Sequence, residues 1–464
     1  MPLASPGTGR AEHGLVERRH RDGLRRGAAG RIMSRARIRA VRARQILDSR
    51  GRPTVEVDVE LQDGTLGRAS VPSGASTGAA EAHELRDADA SHYAGLGVLQ
   101  AVSGVAREIG PALQGRDALD QRALDERLRA LDGTASLKRL GANAVLGVSL
   151  AACRAAAASA RQPLYARIAE LAGTRELTLP MPMVNILSGG LHAGRGMDVQ
   201  DFLAIPTAAA TIADAVHLVA RVRAAATEVM VRRGLTTLLA DEGGLSPGFA
   251  TGREALQLML ESIEHAGLRP GVDVSIAIDV AASSLKGAQP GRYRLAREGR
   301  DANTAQMIDM ASAWVREFPV VSIEDALDEE DWDGWRPLTE QLGARCQLVG
   351  DDLFTTDATR LGRGVRAGVA NAVLIKPNQN GTLSGTLGVI AQARAAGYAT
   401  VVSARSGETE DAFIADLAVG TAAGQIKIGS LRCSDRLAKY NQLLRIEENT
   451  SAPFAGMSGF AGRT

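Results

Sequence analysis

Five short apolar runs in the second half of the chain each lead to a polar residue, and their spacing leaves few folds open. VDVSIAID ends at Asp279, FPVVSIED reaches Glu324, CQLVGDD reaches Asp351, ANAVLIK ends at Lys376 and YATVVSAR ends at Arg405. Each run reads as a strand buried on both faces. The polar ends recur at about the length of one strand–helix unit, roughly 30 residues in a barrel of about 250. A parallel barrel gathers its strand ends on one face, where its chemistry sits. Three carboxylates, a lysine and an arginine are therefore expected to converge. Three carboxylates suit Mg²⁺, a hard cation that prefers oxygen ligands. For any single acid, capping of the following helix is the plainer explanation. The ordered set favours the metal site.

The rest of the chain sets broader bounds. At 464 residues, two domains are the natural expectation. A hydrophobic content of 45% suits a globular protein with a real core. A net charge of +1 gives no global pull towards nucleic acid or an acidic membrane. Cys153, Cys346 and Cys433 lie far apart and form no CxxC pattern. They read as reduced thiols of a cytoplasmic protein. The run from Leu140 to Ala160 is Ala-rich and interrupted by Asn143 and Arg154. It reads as a packed helix, so no membrane span is expected. Residues 1–32 are rich in Gly and Arg without apolar periodicity, which fits a disordered basic tail or a start assigned upstream of Met33.

The order of elements divides the remainder. TVEVDVEL, Thr54 to Leu61, alternates like a half-exposed antiparallel strand. VPSGASTG, Val71 to Gly78, is an irregular loop of Gly, Ser and Thr. Helical patterns follow over Ala80 to Leu85, Val98 to Leu113, Ala118 to Leu131 and Ala142 to Ala158. An N-terminal α+β capping domain is expected over 33–174. Strands then alternate with helices, such as Arg253 to Ala266, Thr304 to Phe318, Leu383 to Ala396 and Asp411 to Thr421. Alternation with strand-end chemistry argues an α/β barrel over 175–452, with a tail at 453–464. There is no GxGxxG or Walker loop, so no nucleotide site is indicated.

Seven motifs now bear on the family. ILDSRGRPTVEV from Ile46, PSGASTG from Pro72, GANAVLGVSLA from Gly141 and DEGGLSP from Asp241 come first. SIEDALDEEDWDGW from Ser322, VGDDLF from Val349 and SGETEDAFIADLAVGTAAGQIKIGS from Ser406 follow. Together and in this order the chain resembles the enolase (phosphopyruvate hydratase) family over nearly everything after Met33. The resemblance implies a modified (β/α)8 TIM-type barrel preceded by a small α+β domain. It implies reversible dehydration of 2-phosphoglycerate to phosphoenolpyruvate, in glycolysis, with two Mg²⁺ ions per site.

By resemblance, Asp279, Glu324 and Asp351 match the ligands of one Mg²⁺, and Ser76 matches a ligand of the second on a closing loop. Lys376 matches the general base and Glu242 the general acid. Arg405 and Ser406 match the phosphate contacts, and Lys427 the contact to the substrate carboxylate. Gln200 and Asp201 match substrate-side positions, and His192 a histidine on a loop. Glu56 and Arg445 match a pair that bridges subunits, so a dimer-based homo-oligomer is expected.

Four positions depart from the family pattern. Ala404 stands where a histidine precedes the Arg-Ser pair. Asp201 stands for a glutamate, Asn380 for an apolar residue in KPNQNG, and Ser188 for an asparagine before Gly-Gly. These changes suggest an altered pocket around the leaving group. An alternative follows: a paralogue acting on a related phosphonate, like carboxyphosphonoenolpyruvate synthase. A non-catalytic scaffold is disfavoured, because a binder has no need of Lys376, Glu242 and three metal ligands.

Overall fold

A computed structural model describes residues 36–74 and 78–462. The tail at 1–32 and the candidate ligand Ser76 lie outside the described residues. The N-terminal unit starts with an antiparallel meander of β1 (Ile38–Leu47), β2 (Pro53–Leu61) and β3 (Leu66–Ser70). Val55, Val57, Val59 and Leu61 form one buried face of the central strand β2. Against the sheet lies the helix Ala142–Ser159, the one described helix long and apolar enough to cross a membrane; 83% of it is buried. Its small side chains let it approach the sheet closely. A Cβ on Gly67 of β3 would lie 2.1 Å from Ala151 O and 2.4 Å from Ala155 N.

The other face of β2 is less exposed than its alternation suggests. Arg44 pairs with Glu56 and Asp58, and Arg68 Nε lies 2.7 Å from Asp58 Oδ1. Asp58 is 6% exposed, and hydrogen bonding from Arg68 against the cost of burial lowers its carboxyl to about 2.

The expected helix over Ala80 to Leu85 is not formed. Its amides find partners in other elements: Ala82 N bonds Gln379 O at 2.9 Å, and His83 N bonds Ser136 O at 2.7 Å. A stretch this short cannot pay the nucleation cost of a helix against such competition. The segment over Val98 to Leu113 is helical but carries a π-turn at Val105–Ile109.

Eight strands close a barrel: β4 (Met181–Ser188), β5 (Asp201–Ile205), β6 (Ser275–Asp279), β9 (Val320–Glu324), β10 (Gln347–Gly350), β11 (Ala372–Ile375), β12 (Ala399–Ser403) and β13 (Gly424–Gly429). The hairpin of β7 (Arg292–Leu295) and β8 (Arg300–Asn303) stands outside it. The ring order is β10-β11-β12-β13-β4-β5-β6-β9. β5 runs antiparallel to both neighbours, a departure from simple alternation. The loop 189–200 before it contains only a 3-10 turn, so no helix carries the chain back for a parallel return. Two helices, Ile212–Arg232 and Gly252–His265, then separate β5 from β6. Residues 453–460 form the barrel floor: Leu179 exchanges backbone bonds with Pro453 and Ala455 at 2.9 Å, and Phe460 packs with Met181, Met183 and Leu203.

The two units share a polar seam. Asp125 Oδ2 and Ser149 Oγ accept from the amides of Ser384 and Leu383, at 2.8 and 3.0 Å, and so cap the helix Leu383–Ala395. Arg154 pairs with Asp411 at 2.7 Å.

Candidate active site

The parallel strands β6, β9, β10, β11, β12 and β13 open their C-terminal ends on one face. Because β5 is antiparallel, its first residue reaches that same face, with Asp201 opposite Asp279 in the register. The fold thus delivers both parallel strand ends and one strand start to the barrel mouth. In the ring order, β11 and β5 stand diametrically across from each other.

Asp279 and Glu324 lie side by side at the ends of β6 and β9. Lys427 Nζ bridges them, 2.7 Å from Asp279 Oδ2 and 2.8 Å from Glu324 Oε2. Gln200 Nε2 donates to the same Asp279 oxygen at 3.0 Å. Asp351 pairs with Lys376 and accepts from Gln379 Nε2 at 3.0 Å. Glu324 Oε1 is buried and accepts no hydrogen bond among the described residues. Burial, with Asp279 adding to it, pushes the Glu324 carboxyl well above its ordinary value despite Lys427. Burial pulls both lysines down, but Asp279 and Glu324 outweigh it at Lys427, and Asp351 outweighs it at Lys376, so both are raised.

Two trios of potential ligand atoms lie within 4.8 Å of one another: His192–Asp201–Glu242 and Asp325–Asp351–Asp352. The expected trio of Asp279, Glu324 and Asp351 is not one of them. Lysine ammonium groups stand among its carboxylates, as expected where buried like charges need compensation. Asp325 braces a turn, accepting from the amides of Asp351 and Asp352 at 2.9 and 2.7 Å. Burial and neighbouring Asp351 raise Asp352 to about 7.

Arg405 lies two residues beyond β12 and reaches Glu81 Oε2 at 2.9 Å and Asn378 Oδ1 at 3.0 Å. Its loop is held from beneath by the fully buried Arg436, which donates to the carbonyls of Arg405 and Ser406 at 2.8 Å. Glu408 Oε1 accepts from the Arg405 amide at 3.0 Å, and Lys439 pairs with Glu408 at 2.9 Å. From the N-terminal unit, Ser73 and Gly407 exchange backbone bonds of 2.7 and 2.9 Å.

Glu242 and His192 occupy the β5 side, with Nδ1 and Oε1 3.5 Å apart. Burial raises Asp201 well above its ordinary value, and the Glu242 charge adds to this. At Glu242 burial also acts upward, but His192, Arg436 and Lys427 outweigh it and the carboxyl is lowered. The two neighbouring carboxyls are thus displaced in opposite directions, Asp201 upward and Glu242 downward. Burial lowers the His192 imidazole despite Glu242.

All the expected site residues described here except the subunit pair therefore gather at the mouth. Glu56 is engaged within the chain by Arg44 and Arg68, and Arg445 is exposed on the helix Ser434–Glu448. The four departures separate. Ala404 lines the mouth beside Ser403 and Arg405. Ser188 and Asp201 are hydrogen-bonded to each other at 2.8 Å. Asn380 does not face the pocket: its Oδ1 accepts from Arg129 Nη2 at 2.7 Å and its Nδ2 donates to Thr356 O at 3.2 Å. It is a seam residue, which corrects its expected place near the leaving group. Sequence reading also missed Glu81, Gln379 and Arg436. Glu81 follows the Gly-Ser-Thr loop, and that proximity was the available signal. Nothing local marks Arg436. Roomier clefts of about 670 and 680 Å³ lie on the N-terminal unit and at the seam, away from these lysines.

Comparison with known proteins matches both units of the chain. Residues 38–168 match the family model of the enolase N-terminal domain, and residues 176–462 match that of the enolase C-terminal TIM barrel domain. A curated relative, "Enolase" of Acidothermus cellulolyticus (strain ATCC 43068 / DSM 8971 / 11B), is 54% identical over 425 residues, spanning 91% of this chain and 97% of the relative.

Proposed function

The chain belongs to the enolase family, and from that premise we propose that its barrel mouth dehydrates 2-phosphoglycerate reversibly to phosphoenolpyruvate, as a carbon–oxygen lyase of glycolysis in the cytoplasm. One observation carries the assignment of roles: Lys376 follows β11, and Asp201 with Glu242 lies across the ring beside β5. A base on one side and an acid on the other suit loss of a proton and a hydroxyl from opposite faces of a substrate held between them.

Lys376 takes the proton next to the substrate carboxylate. Glu242, whose carboxyl is lowered, takes a proton from the neighbouring Asp201, whose carboxyl is raised, and delivers it to the departing hydroxyl, which leaves as water. Arg405 binds the phosphate, where a planar guanidinium fork suits phosphate oxygens, and Ser406 adds a hydroxyl. Lys427 receives the substrate carboxylate.

The donor set fits a hard divalent cation. Asp279, Glu324 and Asp351 offer only carboxylate oxygens, and Glu324 Oε1 is a buried acceptor without a donor among the described residues. Mg²⁺ held by these three, with a second ion held partly by Ser76, would supply positive charge against the negative charge that develops on the substrate carboxylate. Asp351 now holds Lys376 protonated. The lysine becomes a base when the Asp351 charge is engaged elsewhere.

The phosphonate alternative is not favoured. Of the changes that suggested it, Asn380 belongs to the seam and Asp201 has a hydroxyl fitted to it. A dimer-based homo-oligomer remains part of the proposal, with Arg445 exposed; light scattering in solution tests it. The function is tested by following phosphoenolpyruvate absorbance with purified protein and 2-phosphoglycerate, with Mg²⁺ and again with a chelator. Turnover only with the metal is expected. No turnover with Mg²⁺ would overturn the assignment.

A further inference from the structure

Asp201 has one carboxylate oxygen fully occupied and one free to act. Oδ1 accepts from Asn185 Nδ2 at 2.6 Å and from Ser188 Oγ at 2.8 Å. Oδ2 is buried and has no hydrogen-bond partner among the described residues. Ser188, Asn185 and Asp201 are all at most 1% exposed. Water cannot replace a lost contact here without a cavity to hold it.

Ser188 also grips the acid on the other side. Its backbone N–H donates to Leu245 O at 2.8 Å, and Leu245 N returns a bond of 2.8 Å to Ile186 O. That ladder holds the turn carrying Glu242 against the end of β4. The fit is close: a Cβ on Gly244 would lie 2.4 Å from Ser188 Oγ and 2.6 Å from Asn185 Oδ1. One residue therefore sets the Asp201 side chain through its hydroxyl and the Glu242 loop through its amide.

We infer that Ser188 is a positioning residue for the dehydration, aiming the unpartnered Asp201 oxygen into the group formed by Asp201, Glu242 and His192. The inference rests on the reading of this mouth as an enolase site. Ser188 touches neither substrate nor reacting atoms; it acts through Asp201. The two sequence departures at 188 and 201 are then one unit, a short acid paired with a short hydroxyl donor.

A double-mutant cycle tests this. In the unmodified background, Ser188→Ala is expected to lower kcat about tenfold with KM changed less than about twofold, a loss in keeping with slight misplacement of a reacting group. In the Asp201→Asn background, which has no ionisable group to aim, the same change is expected to cost almost nothing further. Thermal unfolding of Ser188→Ala followed by circular dichroism, expected to stay close to that of the unmodified chain, separates lost positioning from lost folding. Equal effects of Ser188→Ala in both backgrounds would overturn the inference while leaving the enolase reading intact. So would a rise in KM with kcat unchanged. Failure of the unmodified chain to turn over 2-phosphoglycerate would overturn the reading and the inference with it.

Discussion

Asp201 shows how a single methylene is decided by its neighbours. Lengthening it by Asp201→Glu would restore the family residue, yet the space is taken by Asn185 and Ser188 on one side and Glu242 on the other. Overpacking a closed site forces strain of about 1–3 kcal/mol. Asp201→Glu alone is therefore expected to lower turnover of 2-phosphoglycerate, measured as kcat at saturating substrate. Ala404 differs. It is 7% exposed and lines the mouth itself, between Ser403 and Arg405. Ala404→His is expected to raise kcat, because it adds a group able to move protons beside the substrate. Unchanged or lower kcat in that variant would show that the pocket has adjusted to alanine.

At the scale of elements, the seam and the sheet each contain a close contact whose loss should register in stability. Arg129 gives two hydrogen bonds to Asn380 through one nitrogen, at 2.7 Å to Oδ1 and 2.9 Å to the carbonyl. Asn380→Ala is expected to destabilise by about 1–3 kcal/mol in denaturant unfolding, with kcat/KM within about twofold of the unmodified chain. Gly67→Ala should cost at least as much, since its Cβ would meet the backbone of the helix Ala142–Ser159.

Asp416 supplies a pH dependence. Burial at the contact between the helices Phe413–Gly420 and Leu164–Ala172 raises it to about 6 from an ordinary 3.8. The folded state holds this proton more tightly than the unfolded chain, so the contribution falls as pH rises from about 4 to about 6. Asp416→Asn should then add up to about 3 kcal/mol at pH 7 and little at pH 4.

Elements with strong local patterns were legible in the sequence: the apolar strand runs, the Ala-rich helix and the strand-end acids. What was hidden depended on distant partners. The Ala80 to Leu85 segment gave its amides to Gln379 and Ser136, β5 reversed for want of a crossover helix, and Asn380 found Arg129. Periodicity cannot report a partner far away in the chain.

For the whole molecule, the proposed chemistry divides across the barrel mouth. Lys376 stands on the β11 side and Glu242 on the β5 side, with the carboxylates of Asp279, Glu324 and Asp351 at the ends of β6, β9 and β10. The most direct test is exchange of the substrate's C2 proton with solvent deuterium, read by NMR on 2-phosphoglycerate with Mg²⁺ present. Lys376→Ala should abolish exchange. Glu242→Gln should retain exchange while phosphoenolpyruvate formation falls by about 100-fold or more, because base and acid act in separate steps. Equal loss of exchange in the two variants would contradict the division, and retained exchange in Lys376→Ala would remove the lysine from its role.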